Sequence, residues 1–166
     1  VMAIVGSAWL IAKFSDPAAL PIQKVSVEGE FSHLDPDVLQ AVVVDAVDAG
    51  FLGVNVADIR ERLLDEPWIR EATIRRIWPD ALHVRIVEQT PVARWGEQGL
   101  LNEIGDLFAP PSAEIPNELV QLRGPLGSET EVLGEYRYLA REISAVGLEV
   151  VAVSVSDRHA WVVNTR

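Results

Sequence analysis

The side chains able to do acid, base or metal chemistry are spread along the chain without a recognisable motif. His33, His83 and His159 fall in three separate predicted elements, and none has a second histidine at the spacing of a helical metal site. Carboxylates are abundant, but no pair is set apart as an acid and a base. The glycines stand singly at turns, so no phosphate-binding loop is recognisable. The sequence therefore predicts no catalytic residue, no cofactor and no metal.

The most distinctive charged residues are the arginines of one stretch. It runs from Pro67 to Trp95 and reads PWIREATIRRIWPDALHVRIVEQTPVARW. This pattern predicts two strands joined at the segment Trp-Pro-Asp-Ala. Arg75 and Arg76 are consecutive, so their side chains point to opposite faces of the first strand. One interpretation is edge protection by charge, and the other is a docking edge to which an acidic partner adds a strand. We expect Trp78 and Trp95 to pack in the core, because large aromatic side chains dominate small cores.

The composition favours a folded acidic protein. Its 166 residues suit one domain or two small ones, and 49% of them are hydrophobic. The formal net charge of -11 argues against a nucleic-acid partner, because phosphate contacts need concentrated lysine and arginine. The chain has no cysteine, which excludes disulfides and thiolate metal sites and fits any compartment, the bacterial periplasm included. We expect no small-molecule substrate.

The elements that must position the arginine hairpin are predicted in the order β-α-α-β-β. The segment IQKVSVEGE alternates as a strand does. A helix follows with Asp35 as N-cap and Gly50 as its stop, and a second helix begins after Asn55. In the second hairpin strand, the side chains of Leu82, Val84 and Ile86 should point to the same face of the sheet. The predicted apolar faces of the two helices comprise Val38, Leu39, Val42, Val43, Ala46, Val47, Val56, Ile59 and Leu63.

The pattern changes beyond Pro91 to short strands and one helix. A hairpin is predicted to turn within residues 103–106, and NELVQLRGP should contain a short strand. Ser128 and Glu131 form a predicted capping box, and Gly147 should close that helix. Two further strands are expected around Asp157. The predicted apolar face of the helix comprises Val132, Tyr136, Leu139 and Ile143.

The two ends of the sequence also carry apolar runs. Val1 to Ala12 is apolar but too short for a bilayer core, which needs about 20 residues. We expect residues 1–16 to be the end of a transmembrane anchor, with an ordinary buried helix or a signal-peptide remnant as alternatives. We expect a linker at residues 17–23 and domains at residues 24–91 and 92–166. The apolar run Trp161 to Val163 lies just before Arg166, which is typical of a sheet domain truncated at its C-terminal end.

The motifs P-W-I, W-P-D-x-L and V-E-x-x-P-x-A-R-W, in this order, resemble the FtsQ/DivIB family of bacterial cell-division proteins. The preceding IQKVSVEGEFSHL resembles that family's first strand, and LLNEIGDLFAP and LRGPLGSETEVL continue the resemblance to about Trp161. It implies an α+β fold: the remnant of an N-terminal transmembrane helix, a POTRA (polypeptide-transport-associated) domain, and a partial FtsQ-type β domain with one helix.

The resemblance also implies a function without catalysis. Such a protein is a single-pass scaffold in the inner membrane at the division septum, anchored by its N-terminal helix, with most of the chain in the periplasm. It recruits FtsB and FtsL, and through them the septal synthase FtsW/FtsI, and FtsK is a further partner. The resemblance assigns partner binding to Glu71, Ile74 and Arg76 in the second POTRA strand, and part of the FtsB site to Arg158 and His159.

Two expectations follow from this assignment, and two rival functions stay open. Arg76→Glu should weaken partner binding with the fold intact, and this chain should bind FtsB weakly. One rival is a chaperone-like POTRA module of a secretion or outer-membrane assembly system. Such proteins lose a signal peptide and lead into a barrel, unlike this mixed helix-strand sequence. The other rival is an unrecognised hydrolase, which would need a cleft with convergent ionisable groups.

Overall fold

A three-stranded sheet and two helices form the first of two units, which divide between Glu88 and Gln89. The computed structural model describes residues 22–46 and 53–166. Within these ranges the first unit has the predicted β-α-α-β-β order. Its elements are β1 (Lys24–Glu28), α1 (Pro36–Asp45), α2 (Val56–Leu64), β2 (Ile69–Ile77) and β3 (Ala81–Glu88).

The strands of this sheet lie in the order β1-β3-β2, with β1 parallel and β2 antiparallel to β3. Both helices lie on one face. There the predicted alternation of β3 is confirmed, because Leu82, Val84 and Ile86 are all buried. They pack with Leu39 and Val43 of α1 and with Ile59 and Leu63 of α2. The opposite face of the sheet carries no helix of this unit among the described residues.

Side-chain caps begin both helices where the sequence predicts them. The Asp35 side chain accepts the backbone N–H of Asp37 at 2.9 Å, and that of Asn55 accepts the N–H of Ala57 at 3.1 Å. The predicted apolar face of α1 is too wide, because Val38 is 59% exposed. Val38 is turned about 100° around the helix from the buried Leu39. The predicted Val47 and Gly50 lie outside the described residues.

The second unit has a six-stranded mixed sheet in the order β6-β5-β4-β7-β8-β9. The pairs β4/β7 and β7/β8 are parallel, and the other pairs are antiparallel. The predicted hairpin, short strand, helix and terminal strands are all present. The elements are β4 (Pro91–Trp95), β5 (Gly99–Asn102), β6 (Leu107–Phe108), a 3-10 turn (Ser112–Glu114), β7 (Gln121–Arg123), α3 (Glu129–Ser144), β8 (Val150–Val155) and β9 (Trp161–Thr165).

Helix α3 covers the core of the second unit but does not begin as predicted. Ser128 is its N-cap residue, yet its Oγ donates to the Pro125 carbonyl at 2.6 Å and caps no helical N–H. The capping box with Glu131 is therefore wrong, because Ser128 lacks the extended backbone that such a cap needs. Gly147 has a φ of 80°, but the helix itself ends earlier, at Ser144.

The two tryptophans of the arginine stretch have opposite environments. Trp95 is 9% exposed in the core of the second unit, as predicted. Trp78 is 78% exposed, so its predicted core position is wrong. It lies in the turn between β2 and β3, where residues 77–79 are all exposed.

The helices within residues 22–46 and 53–166 are each too short or too polar to span a bilayer. The predicted anchor, residues 1–16, lies outside the described ranges.

Candidate functional site

Strand β2 is an edge strand, and its backbone pattern shows which groups face outward. Among the described residues it pairs with β3 alone. Lys24 N donates to Asp80 O at 3.3 Å, so even-numbered residues of β3 direct their N–H and C=O groups toward β1. The odd-numbered residues of β3 therefore bond to β2. By the antiparallel register, Ala72, Ile74 and Arg76 of β2 direct their backbone groups to the open edge.

Helix α2 occupies one position of this open edge. Arg60 Nε donates to the Ala72 carbonyl at 3.1 Å. A partner strand that paired at Ala72 would have to displace this guanidinium. The outward groups of Ile74 and Arg76 lie beyond it, toward the turn. The open part of the edge is therefore the second half of β2, and unpaired edge groups of this kind accept added strands.

The three predicted contact residues of β2 differ in how available they are. Glu71 projects from the face without helices, its side chain is 66% exposed, and its Oε1 lies 3.7 Å from Arg70 Nε. Ile74 is half-buried and packs against the core on the helix-covered face. Arg76 lies on that same face, where its Nη2 donates to the Val54 carbonyl just before α2. This contact argues against the expectation that Arg76→Glu leaves the fold intact.

The two predicted contact residues of the second unit lie in the turn between β8 and β9. Arg158 and His159 are both exposed. The turn is closed by Ser156 N donating to Ala160 O at 3.0 Å and by His159 N donating to Ser156 O at 2.8 Å. His159 has a φ of 56°, in the left-handed region that few residues other than glycine adopt. This turn presents both side chains to solvent beside the exposed Trp161 of β9.

A group of polar side chains on the open face of the first sheet was missed from the sequence. Thr73, Arg75, His83 and Arg85 line a concavity together with Glu28. The alternation of β3 predicts where His83 and Arg85 point, but not which residues of β2 face them. The sequence feature that could have revealed this group is the short turn after Ile77, because it fixes the register of the hairpin once both strands are assigned.

Two histidines contact carboxylates that are distant in the sequence. His33 Nδ1 lies 2.6 Å from Glu88 Oε1, and His83 Nε2 lies 3.1 Å from Glu28 Oε2. Within the described ranges, no group of three or more His, Asp or Glu side chains is placed to hold a metal ion. The first unit therefore offers a partner the unpaired backbone groups at the β2 edge and the charged side chains on its strands.

Comparisons with known proteins match both units. The family model described as POTRA domain, FtsQ-type, matches residues 20–89, and that of cell division protein FtsQ/DivIB, C-terminal, matches residues 93–166. The chain is 31% identical to cell division protein FtsQ of Coxiella burnetii, over 91% of this chain and 62% of that relative. It is 32% identical to FtsQ of Allochromatium vinosum, over 94% of this chain and 62% of the relative.

A third relative, FtsQ of Burkholderia pseudomallei, is 32% identical over 98% of this chain and 64% of its own length. The chain thus spans less than two thirds of each of these relatives. The first family match covers the β-α-α-β-β unit, and the second covers the six-stranded sheet with its helix. On these two matches and these relatives, the chain belongs to the FtsQ/DivIB family of bacterial cell-division proteins.

Proposed function

We propose that this chain acts as a non-enzymatic scaffold of the bacterial divisome. It recruits FtsB and FtsL, and through them the septal synthase FtsW/FtsI, by contacts at strand edges. The observation that carries the scaffold role is the open second half of β2, which offers a partner strand outward backbone groups at Ile74 and Arg76. This edge is the proposed FtsK site, and FtsB is proposed to bind at Arg158 and His159. Both family matches are to division proteins, which favours this function over a secretion module.

The proposal includes a membrane-anchored arrangement. Residues 1–16 would belong to a single-pass helix in the inner membrane, followed by a linker at residues 17–23. A POTRA domain at residues 24–91 and an FtsQ-type β domain at residues 92–166 would lie in the periplasm at the septum. The apolar run from Val1 to Ala12 supports the anchor. No cofactor, nucleic acid or small-molecule substrate enters this function.

Strand addition explains how the edge binds. A partner strand gains backbone hydrogen bonds from Ile74 and Arg76, and these bonds depend little on the partner's sequence. Charged side chains near the edge then determine which partner binds. The Arg76 guanidinium is already bonded to the Val54 carbonyl, so the exposed carboxylate of Glu71 is the charged group that is available to contact a partner. FtsK is the partner proposed at this edge, and Arg158 and His159 are proposed to contribute to the FtsB surface.

The test is a pull-down of the periplasmic FtsB/FtsL segment with this chain and with a chain extended past Arg166. We expect the extended chain to bind more tightly, because the resemblance assigns only part of the FtsB site to this chain, at Arg158 and His159. Arg158→Glu in the extended chain should reduce capture. Arg62→Glu, on the exposed side of α2, is the matched control and should not. Binding by neither chain would contradict the FtsB/FtsL assignment.

The β2 edge needs its own test with the periplasm-facing segment of FtsK. Glu71→Lys should change the amount of FtsK segment captured, whereas Glu61→Lys on α2 should leave it unchanged. Both carboxylates are exposed, so neither change removes a buried contact. Equal capture by the Glu71 variant, the control and the unchanged chain would exclude this edge as the FtsK site.

A further inference from the structure

The face of the first sheet that has no helix brings two arginines together. In the register of β2 and β3, Arg75 lies opposite His83, and Arg85 lies opposite Thr73. The two arginines are therefore diagonal neighbours, which are about 7–8 Å apart at their Cα atoms in an antiparallel pair. All four side chains share one face and line the concavity with Glu28. Two full positive charges thus lie side by side on a chain whose formal net charge is -11, and Glu28 and Glu71 are the carboxylates of the same face.

Neither arginine is paired with a carboxylate in this concavity, although Glu28 lies beside Arg85 in the register of β1 and β3. The Glu28 carboxylate lies with Oε2 3.1 Å from His83 Nε2. On the other side of the ring, His83 Nδ1 lies 3.1 Å from Ser26 Oγ. In the described part of the chain, neither the Arg75 nor the Arg85 guanidinium forms a hydrogen bond or an ion pair. An anion placed between them would relieve their repulsion and accept several N–H donors.

Apolar side chains lie at the turn end of the same hairpin. Ile77 is 51% exposed and follows Arg75 by two residues, so it lies on the same face. The next residue is the exposed Trp78. Protein interfaces are enriched in arginine and tryptophan at the positions that contribute most to binding. This combination fits an interaction surface better than edge protection, which needs charge but no exposed tryptophan.

We propose that Thr73, Arg75, Ile77, Trp78, His83 and Arg85, here called the arginine face, dock an acidic segment of a partner protein. A partner carboxylate lies between Arg75 and Arg85, and a neighbouring apolar side chain packs on Ile77. The arginine face uses side chains of the open sheet face rather than backbone groups of the β2 edge. This proposal therefore does not depend on strand addition.

An acidic protein segment fits the observations better than an anionic membrane. The net charge of -11 repels an anionic bilayer, whose field extends over about 8–10 Å at ordinary ionic strength. Two arginines in a concavity instead suit one discrete carboxylate, because the planar guanidinium binds a carboxylate through two parallel hydrogen bonds.

The test follows backbone amide signals of the whole ¹⁵N-labelled chain by NMR during titration. The probe is an acetylated hexapeptide in which leucine alternates with glutamate, and its control has glutamine in place of glutamate. We expect the acidic peptide to shift the amides of residues 73–78 and 83–85, and the glutamine peptide to leave them unchanged. Arg75→Gln with Arg85→Gln should raise the Kd about fivefold, the combined effect of two exposed ion pairs.

Arg62→Gln removes one positive charge from α2 and should leave the Kd within about twofold. Should the double glutamine variant fail to fold, Arg75→Lys with Arg85→Lys keeps the charge but loses the planar fork, and its Kd should still rise. An unchanged Kd in the two double variants of Arg75 and Arg85, or amide shifts confined to other residues, would overturn the proposal. So would binding of phosphatidylglycerol vesicles through the same amides without binding of the acidic peptide, which would assign the face to a membrane.

Discussion

The Glu88 carboxylate at the end of β3 holds His33, 55 residues earlier in the chain, with Oε1 2.6 Å from the imidazole Nδ1. The same carboxylate accepts the backbone N–H groups of Ser32 at 2.8 Å and of His33 at 3.0 Å. The imidazole stacks on Trp68, with ring centroids 3.7 Å apart. Glu88 thus ties the loop after β1 to the end of β3, while Trp68 joins this contact from the segment before β2.

Removing the Glu88 carboxylate should destabilise the first unit. Glu88→Ala leaves two backbone donors and the imidazole without their acceptor, and we expect a loss of about 2 kcal/mol in the free energy of unfolding. The measurement is urea unfolding followed by tryptophan fluorescence, with the exposed Glu61→Ala as control. Equal unfolding midpoints for the two variants would show that the Glu88 contacts add nothing to stability.

Asn102 organises the hairpin of β5 and β6 from a fully buried position. Its Oδ1 accepts the N–H groups of Ile104 at 3.0 Å and Asp106 at 2.9 Å, and its Nδ2 donates to Gln89 Oε1 at 3.0 Å. We expect Asn102→Ala to lower the free energy of unfolding by about 2–3 kcal/mol, because a fully buried side chain and its three part-buried hydrogen bonds are lost. The measurement is the midpoint of thermal unfolding, and the control Asn117→Ala, at an exposed site, should have a midpoint near that of the unchanged chain. Equal midpoints for Asn102→Ala and this control would refute the structural role of Asn102.

Two glycines should respond to alanine in opposite directions. A Cβ at Gly124 would lie 3.0 Å from Val155 Cγ1 and 3.1 Å from the Trp95 ring, so Gly124→Ala must disturb the core. At Gly134, in the middle of α3, a Cβ meets nothing within 4 Å. We expect Gly124→Ala to destabilise by about 1–3 kcal/mol and Gly134→Ala to stabilise by about 0.5–1 kcal/mol. Calorimetric melting of both variants tests this, and shifts of the same sign would contradict it.

The adjacent arginines of β2 should separate into a structural and an exposed residue. Arg76→Met removes the bond to the Val54 carbonyl, and we expect a loss of about 1 kcal/mol. Arg75→Met removes no hydrogen bond within the described residues and should change stability by less than about 0.5 kcal/mol. Chemical denaturation of the pair is the measurement. A larger loss for Arg75→Met than for Arg76→Met would reverse the assignment.

Local rules predicted the elements, whereas long-range contacts decided the roles of single residues. The caps at Asp35 and Asn55 and the buried side of β3 follow from a few neighbouring residues. The bond from Arg76 to Val54 joins residues 22 apart, and no local pattern indicates it. The prediction for Trp78 is wrong because an aromatic residue suggests burial, whereas this one lies in the exposed turn between β2 and β3. Predicting the arginine face from the sequence would have required the register of β2 and β3 as well as the assignment of both strands.

The bond from Arg60 to the Ala72 carbonyl also bears on self-association. Identical chains stack through unpaired edges when a long run of backbone groups is open, since each further bond extends the ordered contact. Here α2 covers that run at Ala72, and only Ile74 and Arg76 have outward groups between that point and the turn. Such a short edge suits one short partner strand, and pairing of β2 with β2 would give two copies of the same chain little from which to build a fibre.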